Sequence, residues 1–174
     1  MQDILTKAAN IKLVIFDVDG VLTDGSLFIG DGGEEYKAFN SKDGHGLRML
    51  QNGGVDIAII TGRVSNVVEH RVKELGIKYV YQGKREKLPA FKELLEHVNL
   101  KPEQIAYVGD DVVDLPVMCR VGLAICVQDG HHYVKKHAHW ITEHGGGRGA
   151  ARDVCELILE AQGKLDTMLH EYTV

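Results

Sequence analysis

Short apolar runs and amphipathic segments alternate along the chain. Four runs rich in β-branched residues have the length and composition of buried strands, and they cover positions 11–16, 55–60, 105–108 and 121–127. Apolar residues also recur at helical spacing in three segments, at 65–75, 88–98 and 149–162. Strands that alternate with helices indicate βαβ units. We therefore predict an α/β fold, with a doubly wound, Rossmann-like parallel sheet and helices on both of its faces.

Residues 26–40 interrupt the alternation. Two short strand-like stretches flank the run Gly30-Asp31-Gly32-Gly33, a pattern typical of a β-hairpin. The hairpin comes directly after the loop that starts with Asp17 at the end of the first predicted strand, so it is placed to project over whatever lies there as a flap. We expect one domain over residues 1–174, with this small insertion at about 26–40. The segment after Gly163 is expected to be loosely held.

Composition narrows the class of protein. The 174 residues are 44% hydrophobic and 26% charged, as in ordinary globular proteins, and the net charge is −5. A negative chain is a poor general partner for nucleic acid or for an anionic membrane surface. Three cysteines without CxxC spacing favour reduced thiols. Because no secretory signal and no apolar run of roughly 20 residues is visible, we expect a cytoplasmic protein.

Polar residues follow three of the predicted strands, at the edge of a doubly wound sheet where ligands bind. They are Asp17 and Asp19 after the first strand, Thr61, Gly62 and Arg63 after the second, and Asp110, Asp111 and Asp114 after the third. Carboxylates this close together repel one another unless a cation lies between them. Oxygen ligands suit a hard divalent cation, so the sequence predicts a Mg²⁺ site that also takes an anionic substrate.

The order Asp17-Val-Asp-Gly-Val-Leu-Thr-Asp24, Ile-Ile-Thr61-Gly-Arg, a lysine and Gly-Asp110-Asp-Val-Val-Asp114 resembles the signatures of the haloacid dehalogenase superfamily. That resemblance implies that Asp17 attacks phosphorus and that Asp19 acts as acid and then base, with its backbone carbonyl on Mg²⁺. It also implies that Asp110 completes the metal shell, supported by Asp111 and Asp114. Thr61, with nearby backbone N–H groups such as that of Gly62, would hold the phosphate.

Two lysines, Lys84 and Lys87, compete for the role of the phosphate-binding and catalytic lysine of that superfamily. We favour Lys87 because it lies at the start of the predicted helix at 88–98, where the superfamily has its lysine. The superfamily often carries a large cap domain that sets its specificity. Only the hairpin interrupts this chain, so we predict no large cap domain.

A finer resemblance covers nearly the whole chain. With the motifs above, Lys42-Asp43-Gly44-His45-Gly46 and His144-Gly145-Gly146-Gly147-Arg148-Gly149-Ala150 resemble the 3-deoxy-D-manno-octulosonate 8-phosphate phosphatases. The resemblance implies a homotetramer that releases phosphate from this sugar phosphate in lipopolysaccharide synthesis, in the cytoplasm of Gram-negative bacteria. The hairpins would pack at its centre, and C-terminal segments would approach neighbouring sites.

The substrate of that family carries a carboxylate, which guanidinium groups bind well. Arg63 and Arg71 are candidates for it, although Arg71 is equally compatible with an ordinary surface helix. His45 lies in a glycine-rich run that we interpret as a turn facing the site. The run at 145–149 is interpreted either as a mobile closing loop or as a flexible connector.

Three alternatives stay open at this stage. The chain could act on another sugar phosphate, or it could be a signalling module that keeps its phosphorylated aspartate as a switch. It could also be a silent domain that serves only tetramer assembly. Asp19 argues against the switch, because a switch needs no acid or base two residues after its nucleophile. The complete set of carboxylates argues against the silent domain.

Overall fold

The computed structural model describes residues 1–173 and contains one large parallel sheet. The strands are β1 (Leu13–Phe16), β2 (Phe28–Ile29), β3 (Glu35–Tyr36), β4 (Asp56–Ile60), β5 (Tyr79–Tyr81), β6 (Ile105–Gly109), β7 (Leu123–Cys126) and β8 (Trp140–Ile141). Six of them form the sheet in the order β5-β4-β1-β6-β7-β8, and every pairing in it is parallel. The predicted α/β class is thereby confirmed.

Helices cover both faces of the sheet, as predicted. They are α1 (Gln2–Ala9), α2 (Ser41–Asn52), α3 (Asn66–Glu74), α4 (Lys87–Val98), α5 (Leu115–Met118), α6 (His132–Lys135), α7 (Ala150–Ala161) and α8 (Leu165–His170). Successive strand residues point to opposite faces, so Val14 and Phe16 pack with α1, α2, α3 and α7, while Leu13 and Ile15 pack with α4, α5 and α6. Burial on both faces explains why β1 reads as a continuous apolar run.

The predicted hairpin is present. Strands β2 and β3 pair antiparallel, with Phe28 opposite Tyr36, and they form a separate two-stranded sheet between β1 and α2. The outward residues Leu27, Phe28, Ile29 and Tyr36 are all exposed, which is unusual for large apolar side chains on so short a segment.

The interpretation of residues 42–46 as a turn is wrong, because α2 runs through them. Asn40 begins this helix by accepting hydrogen bonds from the backbone N–H groups of Lys42 and Asp43. The two glycines disfavour a helix locally, but both are buried at tight contacts. A Cβ on Gly44 would lie 2.3 Å from the Arg71 guanidinium, and one on Gly46 would lie 2.8 Å from Arg152. Tertiary packing therefore overrides the local propensity.

The expectation of a loosely held tail is also wrong. Helix α8 follows Gly163, and its Leu165 and Met168 pack, half-buried, against the core. Lys164 donates a hydrogen bond to the Gly53 carbonyl, which ties the tail to the end of α2. Within residues 1–173, the helices are too short or too polar to cross a membrane.

Candidate active site

The three polar clusters meet at one edge of the sheet. Phe16, the last residue of β1, pairs with Ile59 of β4 on one side and with Val108 of β6 on the other, so these three strands end at nearly the same level. The side chains that follow them line a cavity of about 540 Å³. Its walls are formed by Asp17, Asp19, Gly25, Thr61, Gly62, Arg63, Arg85, Lys87, Asp110, Asp111 and Val113.

Asp17 is held from two sides at the floor of this cavity. Its Oδ1 accepts a hydrogen bond from the backbone N–H of Val18 at 2.7 Å, and its Oδ2 lies 2.7 Å from the Lys87 ammonium. Only 6% of Asp17 is exposed, and burial raises the pKa of its carboxyl to about 6, against the opposing effect of Lys87. The structure thus places Lys87, rather than Lys84, against Asp17.

Lys87 and Asp114 form a second, deeper ion pair at 2.6 Å. Burial opposes the charge on Lys87, but Asp17 and Asp114 outweigh it, and the pKa of the amine lies above its ordinary value. Asp114 also accepts hydrogen bonds from the Tyr107 hydroxyl and from the backbone N–H groups of Asp110 and Asp111. Both of its oxygens are therefore already used, and its contacts fix the loop after β6.

The Asp110 carboxylate lies beside Asp17 and accepts no hydrogen bond from residues 1–173. Burial, followed by the negative charges of Asp114 and Asp17, raises the pKa of Asp110 to about 8. Carboxylate oxygens of Asp17, Asp110 and Asp114 lie within 4.8 Å of one another. Gly20, with φ of +86°, leaves room for Asp110, since a Cβ there would lie 2.1 Å from Asp110 Oδ2. Since the oxygens of Asp114 are already bound, Asp17 and Asp110 are the carboxylates of this set that suit a hard cation such as Mg²⁺.

Asp19 has a partner that the sequence did not reveal. The ammonium of Lys37, just after β3, is paired with Asp19 Oδ1 and lies 3.0 Å from Glu35 Oε1. Glu35 in turn lies 3.1 Å from the Arg63 guanidinium. The hairpin thus contacts two of the three loops that form the cavity. Asp111 lies on the cavity wall, where its carboxylate accepts a bond from the N–H of Val112 and begins a short 3₁₀ turn.

Arg71 and His45 lie elsewhere in the chain. They line a separate cavity of about 240 Å³ between α2 and α3, together with Ser41, Gly44, Arg48, Glu74 and Leu75. Arg71 binds Glu74 at 2.9 Å and the Asn40 carbonyl at 3.4 Å. The His45 ring meets the edge of the Tyr172 ring, with their centroids 5.6 Å apart. Within one chain, therefore, neither residue belongs to the cavity that contains Asp17.

The glycine run at 145–149 packs against the loop that carries Asp19. The backbone N–H of Gly147 donates to the Val21 carbonyl at 2.9 Å, and Arg148 binds Asp24 at 3.0 Å. Gly146 donates to Asp129, and a Cβ on Gly146 would lie 1.8 Å from the Gly20 carbonyl oxygen. Glycine is required here because the two backbones approach closely. The run at 145–149 therefore packs against the loop after β1 and supports it.

The fold and the acidic cavity define the class of a haloacid dehalogenase-like hydrolase, and residues 79–152 match the family model of that description. The chain is also 51% identical over 165 residues to the 3-deoxy-D-manno-octulosonate 8-phosphate phosphatase of Yersinia pestis, covering 95% of this chain and 88% of that one.

Solved structures agree with this assignment. A probable YrbI family phosphatase of Pseudomonas syringae superposes with a TM-score of 0.99 at 49% identity, covering 100% of this chain and 99% of that one. The corresponding phosphatase of Moraxella catarrhalis, solved with a magnesium ion, a phosphate ion and a KDO molecule, gives a TM-score of 0.97 at 42% identity, covering 99% of each chain. The chain belongs to the 3-deoxy-D-manno-octulosonate 8-phosphate phosphatase family.

Proposed function

We propose that this protein is a Mg²⁺-dependent phosphatase that hydrolyses 3-deoxy-D-manno-octulosonate (Kdo) 8-phosphate to Kdo and inorganic phosphate. One observation carries the chemistry: a buried carboxylate, Asp17, is fixed by Lys87 beside the unsupported carboxylate of Asp110. The choice of substrate is supported by near full-length similarity to relatives of that activity, one of which was solved with magnesium, phosphate and KDO.

Asp17 is the proposed nucleophile. Val18 and Lys87 fix its orientation, so its carboxylate needs little reorganisation before it attacks phosphorus. Attack forms an aspartyl-phosphate and breaks the bond to the sugar oxygen, which takes a proton from Asp19. In the second step Asp19 removes a proton from water, and the water attacks the phosphorus of the aspartyl-phosphate. Phosphate leaves and Asp17 is regenerated.

The carboxylates of Asp17 and Asp110, with the backbone carbonyl of Asp19, are the proposed Mg²⁺ ligands. Mg²⁺ bound there neutralises negative charge shared by the carboxylates and the phosphate. Asp114 supports this set through Lys87 and through the N–H groups of Asp110 and Asp111. Asp111 contributes from the cavity wall, where it shapes the turn that follows Asp110.

The phosphoryl oxygens are held by one positively charged group and by neutral hydrogen-bond donors. Lys87 lies beside Asp17, while the Thr61 hydroxyl and the Gly62 backbone line the same cavity. Such donors stabilise charge on the transferring phosphoryl group more strongly inside a cavity than in water. Arg63 stands at the cavity wall, half-exposed, and is placed to bind the distal part of the substrate.

Arg71 and His45 are proposed to act on a neighbouring subunit's substrate, because one chain keeps them in a separate cavity. A homotetramer provides such neighbours. The exposed apolar residues of the hairpin supply a surface for assembly, since Leu27, Phe28, Ile29 and Tyr36 are otherwise left in water. We place the enzyme in the cytoplasm and in the synthesis of lipopolysaccharide, following the activity of its relatives.

The test of this function is phosphate release from a panel of sugar phosphates in Mg²⁺. We expect kcat/KM for Kdo 8-phosphate to exceed that for hexose and pentose phosphates by at least about 100-fold, or roughly 3 kcal/mol of transition-state discrimination. Preference for a different sugar phosphate would contradict the proposed substrate and keep the proposed chemistry. A stable aspartyl-phosphate without turnover would identify a signalling module instead.

A further inference from the structure

Lys37 is a partly buried residue that the mechanism above does not use. Its side chain has no exposed surface, although it belongs to the hairpin, whose apolar residues lie in water. A buried ammonium is costly unless carboxylates surround it. Lys37 has two such partners, Asp19 Oδ1 and Glu35 Oε1. The fold thus places Lys37 in direct contact with Asp19, the proposed acid and base.

The contacts continue beyond Lys37. Glu35 joins Lys37 to Arg63, so four charges of alternating sign connect the loop after β1 to the loop after β4. Both ends of this row, Asp19 and Arg63, lie on the cavity wall. The two middle residues belong to the end of the hairpin. The hairpin therefore fixes the relative position of the proposed acid and the proposed substrate arginine.

The bond from Lys37 engages one oxygen of Asp19. Among the residues that the structure describes, the hydrogen bonds of Asp19 go to Oδ1, and Oδ2 accepts none. A carboxyl group held in this way keeps a fixed orientation and presents Oδ2 in one direction. Without the bond, the side chain rotates about two bonds, and a displacement of about 1 Å at a reacting group can cost roughly 100-fold in rate.

We propose that Lys37 is a positioning residue for proton transfer: it holds the Asp19 carboxyl so that Oδ2 faces the oxygen of the departing sugar. This inference rests on the proposed role of Asp19 as acid and base. It assigns the hairpin a part in the chemistry of its own subunit, separate from any part in assembly. Glu35 acts one step further back, because it binds Lys37 and Arg63 together.

A comparison of two leaving groups distinguishes a positioning role of Lys37 from a purely structural role. A sugar alkoxide needs a proton as it departs, whereas the p-nitrophenolate ion leaves with little help. The ratio kcat/KM reports formation of the aspartyl-phosphate and is independent of the later water step. We expect Lys37→Met to lower kcat/KM for Kdo 8-phosphate by about 10- to 100-fold and for p-nitrophenyl phosphate by less than about threefold. Lys37→Arg, which keeps the charge, should restore most of the loss.

Asp19→Asn and Lys78→Met complete the experiment. Asp19→Asn should show the same discrimination between leaving groups, only larger, and Lys78, an exposed lysine before β5, should be neutral. The inference is overturned if Asp19→Asn discriminates between the two substrates but Lys37→Met loses kcat/KM equally on both, or loses none. Full activity in Asp19→Asn would overturn the proposed function itself. If Lys37→Met does not fold, Lys37→Gln must show the same bias toward p-nitrophenyl phosphate, and its absence counts against Lys37.

Discussion

Asp114 shows how one buried side chain can organise a site without lying on its wall. Its Oδ1 accepts from Lys87 and Tyr107, and its Oδ2 accepts from two consecutive backbone N–H groups. It therefore sets both the position of the lysine and the course of the loop that carries Asp110. The cost of burying this charge is offset by four hydrogen bonds, one of them to an ammonium.

Asp114→Asn should destabilise the protein strongly. The new amide group would place N–H donors against the N–H groups of Asp110 and Asp111, and Lys87 would lose one of its two carboxylates. Removing one partner of a buried pair costs about 3–5 kcal/mol. Urea unfolding in EDTA measures this loss. Tyr107→Phe is the milder comparison, since it removes one bond to a charged group, worth about 1.5–3 kcal/mol. Equal midpoints for Asp114→Asn and the parent would contradict this account.

At the scale of elements, the loop after β1 depends on the glycine run before α7. Gly147 has φ of +63°, and a Cβ on it would lie 2.5 Å from the Thr23 carbonyl carbon. Gly54 has a similar φ of +83° with nothing within 4 Å of an added Cβ. The two glycines thus share a left-handed backbone conformation, but of the two it is Gly147 that packs closely against another segment.

Gly147→Ala should cost more than Gly54→Ala for that reason. Both variants incur the left-handed conformation, about 1–2 kcal/mol, and Gly147→Ala adds about 1–3 kcal/mol of overpacking against the loop. Thermal unfolding and kcat/KM are the two measurements. We expect Gly54→Ala to keep its activity and Gly147→Ala to lose much of it, because the displaced loop carries Asp19. Equal stability and activity in the two variants would show that the contact has no role.

The sequence predicted those elements whose pattern is local and strong. Strands β1, β4, β6 and β7 are buried runs, and the hairpin has its glycine-rich turn, so both patterns could be read directly. Helix α2 was missed because Gly44 and Gly46 serve contacts with residues far away in sequence. Strands β5 and β8 are only three and two residues long, which is too short for a period to be seen.

The same distinction holds for the site. Residues that directly follow buried strands, such as Asp17, Thr61 and Asp110, could be brought together from the sequence because parallel strands end at one edge. The resemblance to the phosphatase family was confirmed by the near full-length relatives. The pairs Lys37–Asp19 and Arg148–Asp24 join distant segments without any spacing rule, so only the fold reveals them. The assignment of Arg71 and His45 to the substrate stays a prediction.

At the scale of the whole molecule, we expect Asp17 and Asp110 to make the metal-free protein less stable as pH rises. Folding raises the pKa of Asp17 to about 6 and of Asp110 to about 8, above the usual value near 4. The folded state therefore binds more protons than the unfolded state between about pH 4 and pH 8. By linkage, the contribution of these two groups to folding stability is fully present below about pH 4. It is lost as the pH rises through about 6 for Asp17 and about 8 for Asp110.

Mg²⁺ should reverse this trend, because a cation between the carboxylates favours their charged forms. The rise in Tm caused by saturating Mg²⁺ is expected to be larger at pH 8 than at pH 6, where the ion must displace protons. Thermal scans with Mg²⁺ and with EDTA at both pH values measure the difference. An equal rise at both pH values, or a larger one at pH 6, would contradict the proposed ligands. Asp110→Asn should abolish most of the effect.

The central claim is that Asp17 takes phosphate from the sugar. Its most direct test is the rate of phosphate release from Kdo 8-phosphate in Mg²⁺ by the parent protein, Asp17→Asn and Asp56→Asn. Asp56 is exposed and begins β4 at the opposite edge of the sheet, so it serves as the matched control. We predict normal turnover for the parent and the control, and a fall of roughly 10⁴-fold or more for a folded Asp17→Asn protein. Turnover by Asp17→Asn within about tenfold of the parent would contradict the account.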